Sequence, residues 1–152
     1  MTADAPAAEP FIRPIELEDA DAAAELALQL GYQRSATAVR HWIESLSTSA
    51  DQAAYVACLG AQVAGWIEVS VQKHLQSEPY ALISGLVVRE GFRAKGIGRL
   101  LCERAELWAW SAGIRTVRVT SRSTRADAHR FYLKGGYRET KTSHVFEKKR
   151  DL

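Results

Sequence analysis

The stretch Val88-Arg89-Glu90-Gly91-Phe92-Arg93-Ala94-Lys95-Gly96-Ile97-Gly98-Arg99 decides how the rest of this 152-residue chain is read. Before it, Tyr80–Val88 is a nearly unbroken apolar run, which predicts a central strand covered on both faces. After it, Ile97, Leu100, Leu101, Ala105 and Trp108 recur at helical spacing while Arg99, Glu103 and Glu106 look outward. A long helix is therefore expected over roughly Gly96–Ala112, ended by Gly113. A strand, a glycine turn and a helix start coincide here. The first turn of a helix leaves backbone N–H groups unpaired, and its dipole favours negative charge. Gly96 and Gly98 put no Cβ in the way of a phosphate approaching those groups. Arg93, Lys95 and Arg99 add mobile positive charge around the same point. Together these residues describe a pyrophosphate cradle. Two familiar cradles fail: Leu101 stands where a dinucleotide fingerprint needs its third glycine, and no Gly-Lys-Ser/Thr follows a four-residue spacer.

Working outward, Phe11–Ile15 alternates and suits an edge strand, because Pro14 cannot donate to a central ladder. Leu17–Leu30 reads as a helix, with Asp19 and Asp21 near its start and Gly31 just past its end. Thr37 is placed to cap a second helix through Leu46, whose apolar stripe is Val39, Trp42, Ile43 and Leu46. Ala53–Leu59 and Gln62–Val71 form a hairpin around Gly60-Ala61. In its second strand Val63, Gly65, Ile67, Val69 and Val71 share one face, and Trp66, Glu68 and Ser70 the other. Arg115–Ser121 is a further strand, Arg125–Lys134 a helix stopped by Gly135-Gly136, and Tyr137–Lys148 a closing strand. This order predicts an α/β (α+β) fold with a mixed, twisted sheet. Residues 1–10, rich in Ala and Pro, are expected as a disordered leader, and 11–152 as one domain.

Composition sets further bounds. Hydrophobic residues make up 47% and charged residues 25%, ordinary for a globular protein. No apolar run approaches the ~18–20 residues of a membrane span, and the leader lacks the basic and apolar regions of a signal peptide. Cys58 and Cys102 sit in apolar stretches without metal-ligand or Cys-x-x-Cys spacing, so buried thiols, no metal and a cytoplasmic location are expected. Residues 1–76 hold four Lys/Arg against ten Asp/Glu, and residues 77–152 sixteen against eight. The basic half suits a polyanion. Nucleic acid is disfavoured, because the basic residues are interspersed with acidic ones and no aromatic platform accompanies them.

About thirty residues beyond the cradle lies Ala128-His129-Arg130-Phe131-Tyr132-Leu133-Lys134-Gly135-Gly136-Tyr137. This segment and the preceding Arg93-x-x-Gly96-x-Gly98, in this order with one strand between, resemble the two signature segments of the GNAT superfamily of N-acetyltransferases. The resemblance implies a mostly antiparallel sheet flanked by helices, its central strands splayed at an acetyl-CoA site. Leu86, Val87 and Val88 would lend backbone groups to the pantetheine arm and thioester. Arg93, Ala94, Lys95, Gly96, Ile97, Gly98 and Arg99 would hold the pyrophosphate. Tyr132 would be the general acid. Many members carry Asn where this chain has Arg125; an Arg there could instead reach a phosphate. The resemblance further implies direct attack of a primary amine on the thioester, with no covalent enzyme intermediate. Glu68 is the first candidate for general base; His129 shares a helix face with Tyr132, and His74, His144 and Ser84 have less to mark them. The acceptor, a small molecule or a lysine-bearing protein, is expected to be cationic, because the family builds its acceptor wall from the segments that are acidic here. No membrane partner is expected; family members often form homodimers, for which Trp108 or Trp110 could serve. The alternative is a non-catalytic CoA-binding regulatory or interaction module.

Overall fold

Alternating β-branched and aromatic residues set the framework of the sheet. A computed structural model describes residues 9–92, 95–121 and 126–150. The chain forms two compact units, Met1–Thr120 and Ser121–Leu152. In the first, β1 (Phe11–Pro14), β2 (Gln52–Leu59), β3 (Gln62–Gln72), β4 (Tyr80–Val88) and β5 (Val117–Val119) make one sheet in the order β1-β2-β3-β4-β5. Every neighbouring pair is antiparallel except β4 and β5, which are parallel and joined through helix α3 (Ile97–Ser111). Pro14 does lie on an edge strand. Helices α1 (Ala20–Ala27) and α2 (Ala36–Leu46) lie between β1 and β2 in the chain.

Each face of the sheet receives a helix. Leu26 of α1 joins Val56, Cys58, Val63 and Val87 in one buried cluster, with Trp66 packed against it. Opposite, Ile97, Leu101 and Ala105 of α3 are fully buried, and a Cβ on Gly65 would lie 3.4 Å from Leu101. Burying a Leu or Ile side chain contributes about 2 kcal/mol. The helix stripe predicted from sequence is rotated slightly: Cys102 and Ala109 are buried, while Leu100 and Trp108 are only half-buried. Both cysteines are free thiols, and burial pushes that of Cys102 up to about 12.

Two β-bulges shift side chains between faces. In β3 the register runs from Ala57↔Gly65 to Cys58↔Val63, so Ala64 is an extra residue. Val63 therefore leaves the Gly65–Ile67 face expected for it and packs in the cluster beside Trp66. In β4 the register runs from Glu68↔Gly85 to Val69↔Ile83, which leaves Ser84 as the extra residue. Nor is β4 covered on both faces: Ser84 is exposed, and Leu82, Leu86 and Val88 are half-buried.

Three helix boundaries differ from their sequence expectations. The predicted Leu17–Leu30 helix is α1 flanked by 3-10 turns at Leu17–Asp19 and Leu28–Leu30, ending at left-handed Gly31. Its entry is fixed by buried Asp19, which accepts two bonds from Arg13 (2.7 and 2.9 Å) and one from the Glu16 N–H (2.8 Å). Burial pushes the Asp19 carboxyl up, but these hydrogen bonds more than offset it and hold it below its ordinary value. Ser35, not Thr37, caps α2: it is the last extended residue, and its hydroxyl accepts from the Ala38 N–H at 3.0 Å. In the second unit, α4 (Ala126–Lys134) ends at left-handed Gly136. Tyr137–Lys148 contains no strand. Its large apolar residues, Val145 and Phe146, are consecutive and exposed, so neither face of an extended segment would gain an apolar row. Among the described residues, no helix is long and apolar enough to cross a membrane.

Candidate functional site

The β4–β5 ladder ends at Ile83, and the bulge at Ser84 follows directly. Upstream of it, the Ala81 N–H donates to Thr116 on the β5 side at 2.9 Å. Downstream, the Arg89 N–H donates to Ala64 of β3 at 2.7 Å. In an unbroken strand two odd-numbered residues would point the same way; the one extra residue reverses the direction. The backbone groups of Leu86 and Val88 consequently turn toward the side that β5 occupied. The β4–β5 ladder has already ended, at Ile83↔Val119. Val87 turns instead to β3, where a Cβ on Gly65 would come within 2.6 Å of its carbonyl. Only glycine permits that approach. Of the three residues named from the sequence, Leu86 and Val88 thus face the gap.

The end of β4 is held from α1. The Gln29 side chain donates to the Val88 carbonyl (3.0 Å) and accepts from the Glu90 N–H (3.1 Å). Arg89 between them donates to the Val63 carbonyl (3.2 Å) and to Glu25 (2.8 Å). Gln29, Glu25 and Arg89 carried no sequence signal, since their partners lie 26 to 64 residues away.

The chain then turns into α3. Gly96, at φ +77°, is its N-cap, and among the described residues no side chain caps the helix. The first helical bond is from the Leu100 N–H to the Gly96 carbonyl at 3.1 Å. The N–H groups of Ile97, Gly98 and Arg99 precede it and have no helical acceptor. Buried Ile97 anchors this turn to the core. Lys95 is exposed, and exposed Arg99 pairs with Glu103 at 3.1 Å. Arg93 and Ala94 lie outside the described residues, as does Arg125.

Glu68 stands opposite Gly85 on the Trp66 face. A Cβ on Gly85 would meet the Trp66 ring at 2.7 Å and the Glu68 carboxylate at 3.2 Å, so the missing side chain makes room for both. The Trp66 N–H donates to the Ala23 carbonyl at 3.2 Å, which fixes the ring. Burial pushes the Glu68 carboxyl above its ordinary value, and the neighbouring Ser84 hydroxyl and the positive charge of Arg34 partly offset this. Ser84 thus belongs beside Glu68. The signal for it was a Ser-Gly pair inside an apolar run, where glycine marks a bulge. Glu25, Leu28, Gln33 and Arg34 line an open cleft at the end of α1.

His74 stacks on Tyr80 (5.5 Å) at the start of β4, with Arg118 also over that ring (4.1 Å). In the second unit Tyr132 is half-buried on α4, its ring edge-on to Tyr137 at 5.9 Å, and its carbonyl accepts from the Tyr137 N–H at 3.0 Å. His129 is half-buried on the same helix, and His144 is exposed.

Residues 17–137 match the Acetyltransferase (GNAT) family, and the chain belongs to that family. It is similar to the aminoalkylphosphonate N-acetyltransferase of Salmonella typhimurium, 35% identical over 86 residues. That match covers 56% of this chain and 56% of the relative, so the chain spans about half the length of that curated protein. Among solved structures, it is similar to the aminoglycoside 6′-N-acetyltransferase AAC(6′)-IG of Acinetobacter haemolyticus (TM-score 0.79, 20% identity, 93% of this chain and 99% of that one). It is also similar to the aminoglycoside N-acetyltransferase AAC(6′)-Iy in complex with CoA (TM-score 0.84, 18% identity, 94% and 97%). At these identities the likeness is one of fold: this is the GNAT fold, an α/β architecture with a mixed five-stranded sheet.

Proposed function

We propose that this chain is an acetyl-CoA-dependent N-acetyltransferase acting on a primary amine. The observation that carries this reading is one junction: the β4–β5 ladder ends at Ile83, and fourteen residues later α3 begins with a first turn that no described side chain caps. The gap suits an extended pantetheine arm, bonded by the backbone of Leu86 and Val88. The amides of Ile97, Gly98 and Arg99 suit a pyrophosphate, with Lys95 and Arg99 supplying charge. Bound acetyl-CoA supplies an activated acyl group as a thioester. A backbone N–H of β4, that of Val88, stabilises negative charge developing on the acyl oxygen. Glu68 takes the proton lost by the attacking amine, through water. As the C–N bond forms and the C–S bond breaks, Tyr132 gives its proton to the departing sulfur.

Membership of the GNAT family and the amine substrates in both kinds of relatives' names support a small-molecule acceptor. Glu68 and the cleft residue Glu25 favour an ammonium group, and Arg34 beside them suits an acceptor that also carries an anion. The free, buried state of Cys58 and Cys102 supports a reducing, cytoplasmic setting.

The test is release of free CoA thiol in the presence of an aminoglycoside, a polyamine, an aminoalkylphosphonate or a lysine peptide. At least one should turn over; no turnover with tight acetyl-CoA binding would favour a non-catalytic CoA-binding module. Tyr132→Phe should lower kcat by about 10²-fold or more with little change in the KM for acetyl-CoA. Glu68 must be ionised to accept a proton. The rate should therefore rise with pH through a value above the ordinary carboxylate range, and Glu68→Gln should abolish that limb.

A further inference from the structure

We infer that Gln29 is a positioning residue for the acetyl donor, although it stands 59 residues before Val88 in the sequence. The inference rests on the donor site proposed above. Gln29 belongs to the 3-10 turn that ends α1, yet its amide spans the root of the cradle loop. One end donates to the Val88 carbonyl (3.0 Å), and the other accepts from the Glu90 N–H (3.1 Å). Those two atoms belong to the peptide groups on either side of Arg89. A planar peptide group held at one atom is fixed in orientation once its neighbours are fixed. Arg89 is itself held by its N–H to Ala64 (2.7 Å), its guanidinium to the Val63 carbonyl (3.2 Å) and its ion pair with Glu25 (2.8 Å). The Phe92 N–H closes a turn onto the Arg89 carbonyl at 3.0 Å.

The root of the loop is therefore clamped from β3 and from α1 at once, one residue beyond the Val88 N–H that faces the gap. Orientation at this point decides where that N–H aims. A ligand that meets groups already in place loses less to ordering than one that must arrange them. Gln29 reads as a general surface residue in the sequence, yet its primary amide supplies the donor and the acceptor that these two groups need. A carboxylate would repel the Val88 carbonyl, and an aliphatic side chain would satisfy neither group.

The clamp makes two separable predictions for Gln29→Leu and Gln29→Glu. Leu removes both bonds; Glu keeps an acceptor for the Glu90 N–H and loses the donor to Val88. Amide hydrogen exchange, read without any ligand, should speed at Glu90 in Gln29→Leu and remain slow in Gln29→Glu. Titration calorimetry with acetyl-CoA, well below the melting temperature, should show both variants binding roughly tenfold more weakly than the unsubstituted chain, within the usual range of site-to-site coupling. A loss of folding stability alone would not produce that pattern in folded protein. If the unsubstituted chain binds acetyl-CoA and both variants bind it equally well, the positioning role is wrong while the donor site stands. If the unsubstituted chain does not bind, the donor site falls and the positioning role with it.

Discussion

Helices α2 and α3 begin in opposite ways. At α2, Ser35 turns its hydroxyl onto the Ala38 N–H and closes the first turn within the protein. The 3-10 turn that leads into α1 is closed as well, by Asp19 bonded to Arg13 and the Glu16 N–H. At α3 the corresponding position is Gly96, whose left-handed backbone brings the chain in sharply and whose missing side chain caps nothing. The helix left bare is the one that starts beside the opened strands of the sheet. Capping contributes about 1 kcal/mol where it occurs, so leaving it out at α3 is a cost that a ligand can offset. The closed starts serve stability; the bare start is the one proposed above to serve binding.

Substitutions can separate these two roles. The largest expected effect is at the entry to α1. Asp19→Asn should cost on the order of 3 kcal/mol by leaving Arg13 without its buried partner, and should leave acetyl-CoA affinity in the folded protein unchanged. The Asp19 carboxyl is held below its ordinary value when folded. Its contribution to stability is therefore complete above the unfolded value of about 3.9 and is lost as pH falls through the lower folded one. Denaturant titrations between neutral and acid pH should show that loss, and Asp19→Asn should remove it.

Next comes Gly98→Glu, which sets a carboxylate in the bare first turn. Like charge against pyrophosphate should weaken acetyl-CoA binding by about a hundredfold, while the helix dipole keeps stability equal or slightly raises it. Affinity and stability moving together would instead mark Gly98 as an ordinary structural glycine. Gly96→Ala meets open space but a backbone at φ +77°, so about 1 kcal/mol of destabilisation by strain is expected in thermal melts. The smallest effect is Ser35→Ala, about 1 kcal/mol or less of stability, with acetyl-CoA affinity unaltered.

Much of this contrast was legible in the sequence. The Gly96-x-Gly98 turn after an apolar strand marks the bare helix start, because glycine, charge and periodicity are local properties. Element order from β1 to α4 was legible for the same reason. Three features were not. Ser84 counts as an extra residue only when β4 is set against β3, so neither the Glu68–Ser84 pairing nor the direction of the Leu86 and Val88 backbone follows from alternation alone. Ala64 similarly moved Val63 to the other face. The Gln29 clamp joins residues 59 and 61 positions apart, a relation fixed by tertiary packing. The expected closing strand over Tyr137–Lys148 failed because β-favouring residues there lack the alternating apolar face that sheet packing requires.

The most direct test of the bare helix start is to titrate acetyl-CoA while following backbone amide resonances of the two helix starts. The account predicts large shifts at Ile97, Gly98 and Arg99 and none at Ala38, whose N–H is already taken by Ser35. Acetyl-CoA binding that leaves Ile97, Gly98 and Arg99 unmoved, or no binding at all, would contradict it.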